Sequence, residues 1–178
     1  MGERKAVIFC SASYGLDPKY GMAAREAVRA LHALNWTIVS GGSFRGTMGD
    51  VAEEAYRCGG RHIGVIPRFM KGLEYPHLTE LVWTDTMSQR KEAMRAGTRA
   101  AIALPGGIGT LDELIETHVL AKLGRYDGRL YALNLDGFYE PFKRLLDHYV
   151  AADMLDADSR RLIRFPETVE EMMTDFCG

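Results

Sequence analysis

The stretch Leu104-Pro105-Gly106-Gly107-Ile108-Gly109-Thr110-Leu111-Asp112-Glu113 joins an apolar, strand-like run at residues 100–104 to a segment of helical periodicity. Leu111, Leu114, Ile115 and His118 fall on one stripe of that helix, the stripe expected to face the core. Between strand and helix stand Gly106, Gly107 and Gly109, a density that lets backbone N–H groups crowd around a bound group where a β-carbon would obstruct them. A helix N-terminus placed there adds unpaired donors and the positive end of the helix dipole, so the expected occupant is an anion, phosphate first. Thr110-x-x-Glu113 also fits a capping box, in which the threonine caps the helix and the glutamate reaches back to it. On spacing alone Glu113 reads equally as a cap and as a catalytic carboxylate.

Strand and helix patterns alternate on both sides of this stretch. Upstream, strands are predicted at 7–10, 36–39, 63–66 and 81–83, with helices at about 19–34, 48–57 and 87–96; residues 68–79 have no clear period and read as a loop with at most a short helix. Downstream, a strand at 130–135 precedes a helix carrying Phe142, Leu145, Leu146 and Tyr149, then a short strand near 162–165 and a final helix around 169–176. The alternation predicts an α/β fold: a Rossmann-like, doubly wound parallel sheet with helices on both faces, one domain over residues 1–178. In such sheets ligands sit outside the carboxyl ends of the strands, near the point where strand order reverses. The turns at 11–15, 41–49 and 106–110 each follow a strand, and their convergence would build a pocket of backbone donors suited to a nucleotide.

Composition narrows the class. With 178 residues, 47% hydrophobic and 26% charged, the chain is of ordinary globular make-up, and no apolar run is long enough to span a membrane. Met1 to Lys5 runs directly into a strand, which argues against a leader peptide. A net charge of −2 offers no broad attraction to nucleic acid or anionic membrane. Cys10, Cys58 and Cys177 have no C-x-x-C spacing, and a reducing cytoplasm is the expected compartment. His32, His62, His77, His118 and His148 lack ligand spacing, so no metal site is predicted, and His118 is expected to be a satisfied, partly buried histidine. Arg90, Lys91, Arg95 and Arg99 form a local basic cluster, either a solvated helix face or a seat for a small anion.

Several nucleotide and hydrolase motifs fail on inspection. The dinucleotide fingerprint has Asp112 where its third glycine belongs, Gly41 to Thr47 lacks the P-loop lysine, and Arg45 breaks a Gly-x-Ser-x-Gly pattern around Ser43. A dinucleotide oxidoreductase, an NTP hydrolase and a serine hydrolase are disfavoured, and a cofactor-free, metal-free enzyme is expected.

One paired pattern does hold. Pro105-Gly106-Gly107-Ile108-Gly109-Thr110-x-x-Glu113, preceded by Met87-x-x-Arg90-Lys91-x-x-Met94, closely resembles the signature of the Lonely Guy family, the cytokinin riboside 5'-monophosphate phosphoribohydrolases often mislabelled as lysine decarboxylases. The resemblance extends to Phe9-Cys10-Ser11-Ala12-Ser13, the Gly41-Gly42 turn with Met48-Gly49, and Gly64-Val65-Ile66-Pro67. It implies a homodimeric enzyme that hydrolyses the N-glycosidic bond of adenine-type nucleoside 5'-monophosphates to free base and ribose 5-phosphate. Arg90 and Glu113 match the family's catalytic pair, and Gly106, Gly107, Gly109 and Thr110 its phosphate-binding turn; Ser11, Gly42, Met87 and Lys91 join them as substrate-binding residues. The chain departs from the family pattern at Ser11, Ser43, Phe44, Arg45, Ser88 and Glu92, all expected to line the pocket. The alternative class is a non-catalytic nucleotide-binding carrier or sensor of the same fold. A lysine decarboxylase comes third, since it needs a Schiff-base lysine and only Lys91 lies near the motifs.

Overall fold

Strands whose successive residues are all apolar or small must be covered on both faces, and a parallel sheet wrapped by helices achieves this. In the computed structural model, which describes residues 3–177, the strands β1 (Lys5–Phe9), β2 (Thr37–Ser40), β3 (His62–Pro67), β4 (Glu80–Thr84), β5 (Ala100–Ala103), β6 (Arg129–Ala132) and β7 (Ile163–Arg164) form one sheet. Its order is β4-β3-β2-β1-β5-β6-β7 and every pairing is parallel. The expected doubly wound α/β architecture is therefore present.

Handedness decides where the helices go. Crossovers between parallel strands are right-handed, so a chain moving outward in one direction lays its helices on one face, and moving the other way lays them on the opposite face. The steps β1→β2→β3 carry α1 (Pro18–Ala33) and α2 (Gly46–Arg57), which pack with α7 (Val169–Cys177) against Ala6, Ile8, Ile102 and Tyr131. The return from β4 to β5 and the steps to β6 and β7 carry α3 (Met87–Arg95), α4 (Ile108–Lys122) and α5 (Glu140–Ala151) over the other face, onto Val7, Phe9, Val65 and Ala101. Alternate residues of β1 thus serve two separate cores. Strand order reverses between β1 and β5, which places the 11–15 and 106–110 turns side by side at the sheet's carboxyl edge.

Element ends follow local chemistry. Asp17 caps α1 by accepting the Lys19 N–H at 3.0 Å, with Pro18 in the first helical position, where its missing N–H costs nothing. The 68–79 segment holds only the 3-10 turn Arg68–Met70, and it is strapped to the preceding turn by Phe44 N–H to the Leu73 carbonyl (3.2 Å) and Tyr75 N–H to the Gly42 carbonyl (2.8 Å).

Two expectations are corrected, one element is added and one open alternative is closed. The strand predicted at 130–135 ends at Ala132: the Leu133 and Asn134 N–H groups still bond in register to the Ala103 and Pro166 carbonyls, and Leu135 then opens a 3-10 turn. A short helix, α6 (Ala157–Arg161), was not foreseen; Asp156 caps it by accepting the Ser159 N–H at 2.7 Å, and that bond holds the Asp156 carboxyl down at about 2. Ile115 is 40% exposed and off the buried stripe, whereas Leu114 and His118 are buried. Thr110 and Glu113 form no capping box: the cap of α4 is Gly107, so Thr110 stands inside the first turn and Glu113 beyond it. The capping box near the site belongs to α3, where Thr86 and Gln89 satisfy each other's backbone N–H.

Candidate active site

The carboxyl end of β5 passes through Pro105 into the glycine turn and straight into α4. No side chain caps α4 and no carboxylate stands in its first turn, so the N–H groups of Ile108, Gly109 and Thr110 point outward with neither an intrahelical partner nor a compensating charge. The glycines differ in what they answer to. A β-carbon at Gly106 would meet Thr110 Oγ1 at 2.2 Å, so that glycine is set by the protein's own packing. At Gly107 and Gly109 a β-carbon would meet nothing within 4 Å, and Gly107 has an ordinary negative φ. Nothing inside the fold demands glycine there; a group approaching the backbone from outside would.

Behind this turn lies the charged pair. Glu113 is 7% exposed and Arg90, from α3, 6%. Their closest approach, Arg90 Nη1 to Glu113 Oε1, is 3.6 Å, an ion pair longer than a hydrogen bond. The guanidinium is fixed by protein carbonyls: Nε donates to Val65 at 3.0 Å and Nη2 to Gly41 at 3.4 Å. A β-carbon on Gly41 would fall 2.2 Å from Nη2, so that glycine makes room for the arginine. Among the described residues no donor hydrogen-bonds the Glu113 carboxylate, and burial pushes its pKa up to about 7, only partly offset by Arg90. Burial likewise raises the Cys10 thiol and the Tyr139 hydroxyl, both of which feel the Glu113 charge.

The other candidate residues separate into groups. Ser11 is buried, with Thr47 bonded to both its N–H (2.9 Å) and its carbonyl (3.2 Å), so the β1 turn is tied to the start of α2. With Gly106 and Gly107 it lines a cleft of ≈ 140 Å³ that Pro105, Tyr20 and Phe138 close. Gly42 adopts a φ of +67° and a β-carbon there would meet Gly64 Cα at 2.8 Å, so strand packing requires this glycine. Met87 is 42% exposed at the start of α3. Lys91 projects away from Arg90 and clamps α3 to α4 through Asp112 (2.9 Å) and Glu116 (2.6 Å), aided by Arg95 on Glu116 at 3.1 Å. Arg90, Lys91 and Arg95 of the basic cluster are thus engaged in interhelical ion pairs, while Arg99 lines a separate cleft with Arg4 and Trp36. His118 is buried with Nε2 2.7 Å from the Ser159 carbonyl, the satisfied histidine that was expected.

The departures from the family pattern also disperse. Phe44 lines a cleft of ≈ 460 Å³ between α1 and α2, and Arg45 lies over the Tyr14 ring at 5.3 Å. Ser88 and Glu92 line a second cleft of ≈ 540 Å³ with Arg95 and Tyr126. Neither cavity, though larger, is lined by Arg90 or Glu113. Ser43 is buried and its Oγ accepts the Arg45 N–H at 3.2 Å. Two further contributors had no sequence signal beyond an aromatic and a threonine: Tyr139, whose hydroxyl donates to the Leu104 carbonyl at 2.7 Å, and Thr47.

The family model described as "Possible lysine decarboxylase" matches residues 48–176. A probable cytokinin riboside 5'-monophosphate phosphoribohydrolase of Oryza sativa subsp. japonica is 38% identical over 173 residues, covering 96% of this chain and 70% of its own. A cytokinin riboside 5'-monophosphate phosphoribohydrolase of Arabidopsis thaliana is 36% identical, with 96% and 80% covered. Among solved structures, the molybdenum cofactor binding protein of Rippkaea orientalis superposes with a TM-score of 0.75 at 18% identity, covering 99% and 97%, a likeness of fold alone.

Proposed function

Because this chain belongs to the Lonely Guy family of cytokinin riboside 5'-monophosphate phosphoribohydrolases, we propose that it hydrolyses the N-glycosidic bond of AMP or of cytokinin riboside monophosphates, releasing the base and ribose 5-phosphate. It is an N-glycosyl hydrolase acting on a nucleoside 5'-monophosphate. The observation that carries this reading is the pairing of a buried, unbonded Glu113 carboxylate with the Arg90 guanidinium beside an uncapped helix N-terminus.

Each part has a physical task. The 5'-phosphate sits on the α4 N-terminus, where Gly107 and Gly109 allow backbone contact. Departure of the base develops oxocarbenium charge on the ribose, and the Glu113 carboxylate stabilises it while orienting a water or the ribose hydroxyls. Arg90 holds phosphate or ribose oxygens and keeps the carboxylate in register. Anchoring the phosphate converts binding energy into orientation at the glycosidic carbon.

Incubation with AMP should therefore release adenine, and adenosine should be a far poorer substrate. Chromatographic measurement of adenine from both decides it: adenosine cleaved as efficiently as AMP would contradict the phosphate anchor. A protein that binds AMP without ever releasing adenine would be a carrier.

The lysine decarboxylase label finds no support in the residues. A Schiff-base lysine must be neutral to react, whereas the hydrogen bonds that Lys91 donates to Glu116 and Asp112 raise its pKa and hold it as an ammonium.

A homodimer belongs to the same reading. Of Met87, Met94 and Leu120, the apolar residues that the sequence offers to a helix–helix face, Met94 is 1% exposed inside the core and is not available for it, whereas Met87 is 42% exposed. Further support comes from α4 and α5, where Ile108 (83% exposed), Ile115, Val119, Leu145 and Tyr149 present apolar surface. Sedimentation at micromolar concentration should give a dimer; a monomer there would remove the idea. Among the described residues no helix is long and apolar enough to cross a membrane.

A further inference from the structure

Tyr139 is 4% exposed, and its hydroxyl donates to the carbonyl of Leu104 at 2.7 Å. Leu104 is itself buried, and its N–H already bonds the Phe9 carbonyl at 2.9 Å. On the β1 side the ladder ends at this point: in register the Leu104 carbonyl would next accept the Ser11 N–H, but that N–H bonds Thr47 Oγ1 at 2.9 Å instead. The phenol takes over from the strand. Because the Leu104 carbonyl and the Pro105 nitrogen share one rigid peptide plane, and proline fixes the next φ and offers no N–H, that carbonyl is the main handle on the direction in which the glycine turn departs.

Tyr139 is delivered to this point by a defined route. Asp136 and Gly137 take left-handed φ values of +51° and +75°, reversing the chain after the buried Asn134. Asn134 Oδ1 then accepts the Tyr139 N–H at 2.7 Å. Phe138 and Phe142 meet the Tyr139 ring edge-on at centroid distances of 5.0 and 6.4 Å.

We infer that Tyr139 is a positioning residue for the phosphate site: by fixing the Leu104 carbonyl it sets where the 106–110 turn leaves β5, and so sets affinity for the 5'-phosphate rather than the rate of bond cleavage. The inference rests on the phosphoribohydrolase reading for its substrate, but it can be tested by binding alone.

Tyr139→Phe keeps the ring and removes the donor. Calorimetric titration with ribose 5-phosphate should show about tenfold weaker binding, the effect of one lost hydrogen bond. The KM for AMP should rise by a similar factor with kcat nearly unchanged, and kcat/KM for adenosine should stay at its wild-type value. Asn134→Ala, which frees the Tyr139 backbone, should weaken ribose 5-phosphate in the same direction. Wild-type affinity for ribose 5-phosphate in Tyr139→Phe, even with a lowered Tm, would mean a purely structural bond and overturn the inference, as would equal losses for AMP and adenosine. A wild type that does not bind ribose 5-phosphate would overturn it together with the proposed function. If the wild type binds ribose 5-phosphate, Tyr139→Phe weakens it and no adenine is ever released, the positioning role stands and the catalytic reading falls.

Discussion

Glu113→Gln should lower kcat for AMP by roughly 10²-fold or more while AMP still binds, the loss expected when one preorganised electrostatic stabiliser is removed. Glutamine has nearly the shape of glutamate, so packing is kept and only the charge goes. Glu113 lies beyond the first turn of α4 and caps nothing, so the loss cannot be ascribed to a frayed helix. Near wild-type turnover would remove the carboxylate from the mechanism. Since burial raises the Glu113 pKa to about 7 and the ionised form is the one required, the wild-type rate in the free enzyme should climb with pH through that value.

The same variant should reveal what the charge costs the fold. The carboxyl titrates near 4.5 when unfolded and near 7 when folded, so between these values the native state binds more protons than the unfolded state. Stability attributable to Glu113 therefore falls as pH rises through this window, by an amount on the order of 3 kcal/mol, and the loss is complete above it. Glu113→Gln has no such loss. Its stability relative to wild type should rise from pH 4.5 to about 7 in chemical denaturation. Buried His62, held down at about 4, contributes the opposite slope below its ordinary pKa of 6.5, but it is common to both proteins and cancels in the difference. A stability difference that does not change with pH would show Glu113 to be ionised throughout.

Arg90→Lys should be comparably severe, lowering kcat/KM by about 10²-fold, although it preserves the charge. The guanidinium reaches three places at once: Nε to the Val65 carbonyl, Nη2 to the Gly41 carbonyl and Nη1 beside Glu113. An ammonium has one nitrogen and cannot span them, so the charge would settle on the carbonyls or drift to Glu113, misplaced by an ångström or more. Steady-state kinetics with AMP checks this, and a loss under threefold would show that charge alone suffices.

Much of this was legible in the sequence, because it is written in local chemistry. Apolar runs flanked by helical periodicity gave the parallel sheet, and glycines at Gly106, Gly107 and Gly109 ahead of an amphipathic helix marked the proposed anion turn. Arg90 and Glu113 stood out through a spaced pair of motifs. Periodicity misjudged Ile115, since an apolar residue on the outer face of α4 repeats as regularly as one facing the core. Spacing left Thr110 and Glu113 open between cap and catalyst, since a capping pattern is a cap only if the helix starts at the threonine, and Gly107 starts it earlier.

What only the tertiary structure decided is which side chains meet. Arg90 and Lys91 are sequence neighbours, yet the helix turns one toward Glu113 and the other onto Asp112 and Glu116. The return of α3 from the edge strand β4 across the sheet, imposed by right-handed crossovers and the reversal of order at β1 and β5, brings Arg90 to Glu113. Burial there shifts the Glu113 pKa, and no property of the isolated residue foretells it. Tyr139, far from the motif in sequence, reaches the Leu104 carbonyl because β6 ends short and the chain turns back through Asp136 and Gly137. Composition and period are properties of a segment; desolvation and long-range contact belong to the assembled fold.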